Sequence, residues 1–226
     1  MKIVIFYGSS RKGNTHKAVS IFKKELLRFS DIEFVEYTLS KDLPEFCTSC
    51  HNCFSKGEEY CPHYKYVKPI EEDIATADGL VFATPVYVLG TSAAMKNLFD
   101  HLGYRFLVHR PVFFNKKSIL ISTAAGAGFS GCRRTVKTNL KYWGALSPKT
   151  LNIRLLAPTW EEIKNKDQVE QKIRDSAAQF NKYLNEKSTE RVTLFSKMIR
   201  VFLRSTIRTY PDNSPDKIYW QQNNWL

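Results

Sequence analysis

The chain has 226 residues, of which 43% are hydrophobic and 25% are charged, and these values are typical of a globular protein with one buried core. It contains no run of roughly 18 or more apolar residues, which excludes a conventional transmembrane helix. Its formal net charge of +12 is compatible with anionic ligands such as phosphorylated cofactors, anionic lipid or nucleic acid, and equally with an ordinary solvated basic surface. No zinc-finger, RRM or helix-turn-helix pattern occurs, so a nucleic-acid-binding module is disfavoured.

Short apolar runs and longer amphipathic stretches alternate along most of the chain. The first run, Ile3–Tyr7, is too short for a secretory signal and is followed by no small-residue cleavage site, so we expect a cytoplasmic protein. The runs predict five β-strands, and the stretches between them predict helices. The predicted strands are Ile3–Tyr7, Glu33–Tyr37, Gly79–Thr84, Ser118–Thr123 and Thr150–Leu155, and the predicted helices cover residues 14–29, 68–77, 91–103, 130–144 and 165–186.

This alternation predicts an α/β fold in which a parallel sheet lies between two layers of helices. Right-handed crossovers place every strand-to-helix loop along one edge of such a sheet. Ligands of these sheets bind outside the carboxyl ends of the strands. We therefore expect function in the loops that follow Tyr7, Ala83 and Ser122.

The loop after the first strand has the features of a phosphate site. It reads Gly8-Ser9-Ser10-Arg11-Lys12-Gly13-Asn14-Thr15. Glycines allow a tight turn, hydroxyls and the N–H groups of a helix N-terminus can donate to a phosphate, and Arg11 adds charge. The Walker A motif is excluded because Asn14 stands where its lysine is required, and the dinucleotide pattern Gly-x-Gly-x-x-Gly is absent. A phosphomonoester suits the loop best, and an ordinary helix-capping turn is the alternative.

Two further loops could surround a flat ring. The loop Thr84-Pro85-Val86-Tyr87-Val88-Leu89-Gly90 fixes its direction at Pro85, and Tyr87 could stack on an aromatic ligand. The loop Ser122–Gly128 consists of small residues, which let a backbone approach a ring closely. Each of these loops alone is equally compatible with a packed or flexible turn.

As a set, the three loops resemble the NADPH-dependent FMN reductase family. Gly8–Thr15 is similar to its phosphate loop, and Thr84–Tyr87 followed by Ala94–Asp100 is similar to its second signature. The resemblance covers roughly residues 1–185 and implies a flavodoxin-like, doubly wound five-stranded sheet, tightly bound FMN, and a homodimer or homotetramer. It also implies that Ser9, Arg11, Gly13, Asn14 and Thr15 hold the phosphate, and that Pro85, Val86, Tyr87, Ala124 and Gly126 bracket the isoalloxazine.

Four of the five cysteines lie between the second and third predicted strands, at Cys47, Cys50, Cys53 and Cys61. In a chain without a secretory signal, such clustering favours metal or redox chemistry over disulfides. Three thiolates at this spacing can bind three corners of a cubane, and a fourth can complete it. The pattern is similar to that of the iron–sulfur flavoprotein branch of the same family, which implies a [4Fe-4S] cluster that passes electrons to FMN. A loop without metal, or a zinc site with His51 or His63 nearby, stays open as an alternative.

The pattern changes near Lys187. We divide the chain into a flavodoxin-like FMN-binding domain at residues 1–187, with a cysteine-rich loop at 46–62, and an extension at 188–226. Residues 188–208 predict an amphipathic helix, which could cover its own domain or a partner subunit, the role we favour, or contact an anionic membrane surface. Its basic face consists of Lys197, Arg200, Arg204 and Arg208. Its apolar face consists of Val192, Phe195, Ile199, Phe202 and Leu203, with Met198 toward one side.

These observations predict an NAD(P)H-dependent FMN reductase. Electrons from NAD(P)H or a reduced protein donor would pass through FMN, with the iron–sulfur cluster as an additional centre, to a small acceptor. Since the flavin carries the chemistry, Tyr87 is the only catalytic residue we nominate, for ring stacking and substrate positioning. The alternative is a non-enzymatic electron carrier whose basic surface docks an acidic, ferredoxin-like partner.

Overall fold

The computed structural model describes residues 1–186 and 193–226, and its centre is a five-stranded, all-parallel β-sheet. The order across the sheet is β2-β1-β3-β4-β5. This confirms the predicted doubly wound α/β fold, and each strand lies within one residue of its predicted bounds. The strands are β1 (Lys2–Tyr7), β2 (Glu33–Thr38), β3 (Gly79–Pro85), β4 (Lys117–Ala124) and β5 (Lys149–Arg154).

Helices cover both faces of the sheet. They are α1 (Asn14–Leu26), α2 (Leu39–Asp42), α3 (Asn52–Ser55), α4 (Tyr64–Thr76), α5 (Ala93–His101), α6 (Phe129–Tyr142), α7 (Lys166–Asn185), α8 (Leu194–Arg208) and α9 (Pro215–Gln222), with 3₁₀ turns at Glu58–Tyr60 and Gly103–Arg105. In the described ranges 1–186 and 193–226, none of these helices combines the length and the apolar composition needed to cross a bilayer.

Successive residues of β1 point to opposite faces and so contribute to two separate cores. Val4 and Phe6 pack in the core beneath α4, α5 and α6, where the Phe6 ring stacks on Phe82 of β3 at a centroid distance of 5.4 Å. Ile3 and Ile5 pack in the opposite core, beneath α1 and α7. Because both faces are buried, the central strands are nearly continuous apolar runs.

Helix α4 begins at Tyr64, four residues before the predicted start, and it contains Pro69. The residues that face the sheet are Val67, Ile70 and Ile74, and all three are buried. Their spacing places Val67 on the same face as the other two. Burial of Val67 explains why the helix begins before Pro69. It offsets the one backbone hydrogen bond that the proline removes from the helix.

The extension is more structured than the sequence indicates. Residues 209–226 contain α9, which has Pro215 in its first turn, a favourable position for proline. Trp220 of α9 is fully buried, and its Nε1 donates to the carbonyl of His109 over 2.8 Å. The predicted boundary at 187/188 and the predicted helical residue Val192 lie outside the described residues.

Helix α8 confirms an amphipathic element, but its faces differ from the prediction. Phe195 packs edge-on against Tyr142 of α6 with 5.6 Å between ring centroids, and Ile207 is buried. Phe202, which was predicted on the buried face, points to solvent. The inward face is centred near Ser196 and Ile207, so Phe202 falls on the other side of the helix.

Candidate functional site

The loops that leave β1, β3 and β4 meet in one cavity of about 260 Å³ at the carboxyl edge of the sheet. Nine of the ten predicted cofactor residues line it, namely Ser9, Arg11, Gly13, Asn14, Thr15, Pro85, Val86, Tyr87 and Ala124. Gly126 does not; an added Cβ there would meet nothing within 4 Å. We call this the flavin cavity, after the cofactor predicted for it.

The start of α1 provides unused backbone donors at this cavity. The N-terminal N–H groups of a helix have no acceptor within the helix. The residue before α1, Gly13, forms no side-chain cap, and the first turn contains no acidic residue. The positive end of the helix dipole therefore stays free for an anion. Arg11 is exposed beside the start of the helix, and the backbone N–H of Arg11 donates to Ser9 Oγ over 3.3 Å.

Two predicted phosphate-binding side chains also link the loops to each other. The hydroxyl oxygens of Thr15 and Thr123 are 2.6 Å apart, and both residues are buried. Asn14 Nδ2 donates to the carbonyl of Ala157 over 3.4 Å. Thr15 therefore connects the first loop to the end of β4, and Asn14 connects it to the segment after β5.

The segment after β5 is a part of the cavity that the sequence analysis missed. Leu155, Ala157 and Pro158 line the cavity, and the N–H of Leu155 donates to the carbonyl of Ala124 over 2.9 Å. The same strand-end rule that indicated the first three loops applies to β5 as well. These residues could therefore have been found.

The loop after β3 forms a tight turn. Tyr87 and Gly90 exchange two backbone hydrogen bonds of 3.0 and 2.9 Å around Val88 and Leu89. Val88 and Leu89 both have left-handed backbone conformations, with φ of 47° and 61°, and both are exposed. Such conformations are costly for non-glycine residues, and more so for a β-branched one. Tyr87 is 51% exposed at the mouth of the cavity.

A glycine at the end of the next loop and one in the first turn of α6 make room for this turn. A Cβ on Gly131 would lie 2.2 Å from the carbonyl oxygen of Leu89, and one on Gly128 would lie 2.6 Å from Val86 Cγ1. Gly128 also has a φ of +97°, which side-chain-bearing residues rarely adopt. Gly128, in the loop predicted to approach a ring, and Gly131 of α6 therefore both approach the neighbouring loop.

All four clustered cysteines line a second cavity, of about 280 Å³, which we call the cysteine cavity. None of them is in a disulfide, and His51, His63 and His101 lie around the same space. Four thiols are enough to bind a metal ion or an iron–sulfur cluster, and thiolates are suitable ligands for both. However, no group of three or more Cys, His, Asp or Glu side chains within residues 1–186 and 193–226 converges closely enough to hold a metal ion.

The electrostatics of the cysteine cavity oppose free thiolates. Burial raises the pKa of the Cys53 thiol to about 11, and the neighbouring thiols add to this shift. Burial also raises the pKa of Cys61. Since the thiolate is the form that binds a metal, Cys53 and Cys61 would each have to lose a proton in order to bind one.

Asn97 of α5 fixes the chain as it enters the cysteine cavity. Its Nδ2 donates to the carbonyl of Glu45 over 2.8 Å, and its Oδ1 accepts from the N–H of Cys47 over 3.1 Å. His101 Nδ1 lies 3.0 Å from the carbonyl of Asn97, and its Nε2 lies 2.9 Å from His63 Nδ1. Asn97 belongs to the second sequence signature, which places that signature between the two cavities.

Arg110 fixes the middle of the cysteine loop. Its guanidinium donates to the carbonyl of Cys53, to Glu58 over 3.2 Å, and to Asp216 of α9. Asp216 also lies 2.6 Å from His109 Nδ1. Arg110 and Asp216 are each 4% exposed. The C-terminal extension therefore supports the cysteine loop through a buried ion pair, and no local sequence signal indicated this.

A second buried arginine extends this ion cluster. Arg105 pairs with Glu71 and, over 2.6 Å, with Glu58, and it donates to the carbonyl of Arg110 over 3.1 Å. Burial alone would raise the pKa of Glu58, but the charges of Arg105 and Arg110 outweigh it and hold that pKa below its ordinary value. Glu58 is therefore an ionised partner of both arginines at neutral pH.

Comparisons with known proteins bear on both cavities. A family model described as NADPH-dependent FMN reductase matches residues 1–153. An iron-sulfur flavoprotein of Archaeoglobus fulgidus is 33% identical over 150 residues, which cover 64% of this chain and 64% of that protein. An NAD(P)H-dependent FMN reductase of Schizosaccharomyces pombe is 32% identical over 54% of this chain and 53% of its own. The matches thus span less than two thirds of either relative.

The fold comparison extends further along the chain. The solved structure of an NAD(P)H:quinone oxidoreductase from Methanothermobacter marburgensis superposes with a TM-score of 0.61. The alignment covers 83% of this chain and 98% of that one at 14% sequence identity. At 14% sequence identity, this similarity establishes the fold alone, which is flavodoxin-like.

Proposed function

This chain belongs to the NADPH-dependent FMN reductase family, and on that premise we propose that it is an FMN-dependent oxidoreductase that transfers electrons from NAD(P)H to a small acceptor. The observation that carries the proposal is the convergence of nine predicted cofactor residues in the flavin cavity, next to the uncapped start of α1. The family and the enzyme class both agree with the sequence prediction.

The residues of the flavin cavity suit the two ends of FMN. Ser9, Arg11 and the first N–H groups of α1 would hold the phosphate, with Asn14 and Thr15 beside them. The ring would lie against Pro85–Tyr87 and Ala124, with Gly126 at the rim. When bound, FMN supplies the electron- and hydride-accepting chemistry. Tyr87 would stack on the ring or substrate at the mouth of the cavity.

We propose further that Cys47, Cys50, Cys53 and Cys61 bind a [4Fe-4S] cluster that exchanges electrons with FMN. Four free thiols around one cavity support this, as does the similarity to an iron-sulfur flavoprotein. The thiols would have to draw together around the cluster. A ferredoxin-like protein donor, a homodimer or homotetramer and a cytoplasmic location complete the proposal.

Removal of the Arg11 charge tests the flavin assignment. We expect Arg11→Ala to raise the Kd for FMN about tenfold, since charge-assisted hydrogen bonds contribute about 1.5–3 kcal/mol. Fluorescence quenching of FMN titrated into the deflavinated protein measures this. Arg134→Ala, which removes an exposed arginine of α6, is the matched control. Equal affinities of the two variants would contradict the proposed phosphate site.

Steady-state oxidation of NAD(P)H distinguishes the enzyme from the alternative, a non-enzymatic electron carrier. The net charge of +12 is the observation that favours the carrier, because a basic surface could dock an acidic partner. We expect the flavin-loaded protein to oxidise NADPH or NADH continuously when a quinone or free FMN is supplied. A protein that retains FMN but reacts with neither nucleotide would be the carrier. Iron and acid-labile sulfide analysis of anaerobically purified protein tests the cluster separately, and absence of both would remove it.

A further inference from the structure

Within residues 1–186 and 193–226, nothing covers one side of helix α8. Four apolar side chains on that side, Leu194, Met198, Val201 and Phe202, are between 62% and 78% exposed. At 3.6 residues per turn they fall within an arc of about 100° and extend over about 12 Å of the helix. We call them the apolar stripe. Exposed apolar patches of this kind mark contact surfaces more often than isolated exposed residues do.

Basic side chains lie directly beside the apolar stripe. Lys197, Arg204 and Arg208 are exposed along one edge of it, and α8 contains no acidic residue. Within the described parts of the chain, none of these three cations has an ion-pair partner. The edge of the stripe therefore carries an uncompensated positive charge.

A small cavity joins the basic edge to the stripe. It has a volume of about 210 Å³ and is lined by Lys197, Arg200, Val201, Arg204 and Trp225. The Arg200 guanidinium lies 4.6 Å from the centre of a Trp225 ring, and Arg204 Nε donates to the carbonyl of Trp225 over 2.8 Å. These contacts hold both guanidinium groups at the cavity, where three cations can meet one anionic group.

We propose that this side of α8 docks on an anionic phospholipid membrane. A lipid phosphate would enter the cavity between Lys197, Arg200 and Arg204, and the apolar stripe would enter the boundary between headgroups and acyl chains. A membrane surface is the partner that presents anionic groups and hydrocarbon side by side, as the basic edge and the stripe require. A second copy is disfavoured because its α8 carries the same basic residues and no acidic one, so it offers no anionic group to this cavity.

Co-sedimentation of the full flavin-loaded chain with lipid vesicles tests the proposal. We expect binding to vesicles of equal parts phosphatidylglycerol and phosphatidylcholine, weakened by high salt, and little binding to phosphatidylcholine alone. Val201→Glu with Phe202→Glu should lower the partition coefficient about tenfold or more, since it places charge in the membrane-facing stripe. Lys197→Ala with Arg208→Ala should lower it by about thirtyfold, since it removes two cations from the membrane-facing surface.

The control variant is Leu27→Glu with Phe29→Glu, which charges two exposed apolar residues at the end of α1 and should leave vesicle binding unchanged. Circular dichroism and flavin content verify that each variant is folded. Absence of binding, equal binding to both vesicle types, or equal loss in the control would overturn the proposal. So would a dimer in sedimentation equilibrium that Val201→Glu with Phe202→Glu splits, since the stripe would then be an interface between copies.

Discussion

The flavin cavity and the cysteine cavity differ in what positions their residues. Backbone hydrogen bonds connect the loops of the flavin cavity at the strand ends, as from the N–H of Val86 to the carbonyl of Thr123 over 2.8 Å. Side chains from distant segments position the cysteine loop, chiefly Asn97 and Arg110. The first site therefore follows from the sheet itself, whereas the second depends on a few buried polar side chains and on the C-terminal extension.

The largest expected effect is at the cysteine cavity. Arg110→Ala leaves Asp216 and Glu58 without this partner in a buried setting, and the loss of one member of a buried ion pair costs about 3–5 kcal/mol. Urea unfolding followed by tryptophan fluorescence measures this cost. The exposed-residue control Arg134→Ala should change the free energy of unfolding by less than about 0.5 kcal/mol. A similar small change for Arg110→Ala would show that the ion cluster does not support the loop.

A smaller effect is expected from the glycine that lets two loops meet at the flavin cavity. Gly131→Ala places a Cβ 2.2 Å from the backbone oxygen of Leu89, so the turn before it must move. We expect weaker FMN binding and a loss of about 1–3 kcal/mol in stability. Gly126→Ala is the matched control, because open space surrounds that position. If Gly126→Ala weakened FMN binding as much, Gly126 would contact the ring as the sequence resemblance implies.

The smallest expected effect is the loss of stability of the cysteine-rich loop at low pH. Because its folded-state pKa is lowered, ionised Glu58 stabilises the fold above its ordinary value of 4.5, and this contribution is lost as pH falls through the lower, folded-state value. Among the residues that the structure describes, no carboxylate lines the flavin cavity. Acidification from about pH 6 to about pH 3 should therefore weaken hydrogen-exchange protection at residues 47–61 before residues 8–15.

Glu58→Gln separates this contribution from that of other carboxylates. In the variant, protection of residues 47–61 should be reduced at about pH 6 and should fall less steeply on acidification. Mass spectrometry of peptic peptides reads both segments in one experiment. Unchanged acid sensitivity in the variant would assign the effect to another acidic group.

Local sequence was sufficient for the sheet and for most of the flavin cavity. Each strand is a short apolar run, and the phosphate loop follows β1 without interruption, so neighbouring residues determine both. The segment around Ala157 was missed although the same strand-end rule covers it. Gly126 does not line the cavity, because a run of small residues in a loop does not determine which of them faces it, and its contact with the ring stays a prediction.

The supports of the cysteine cavity could not be predicted in this way. Arg110 and Asp216 are 106 residues apart, and in the sequence each looks like one more surface charge. Only the folded chain places them together and removes both from water. The same applies to Phe202, because a helical pattern gives the two faces of α8 but does not determine which of them meets the domain.

The separation between Arg110 and Asp216 also sets an order of events during synthesis. Translation adds about 5–20 residues per second, so Asp216 follows Arg110 by roughly 5 to 20 s. During that interval the segment with Cys47–Cys61 exists without its C-terminal support. The interval ends when α9 brings Asp216 to Arg110, whose guanidinium also binds the carbonyl of Cys53.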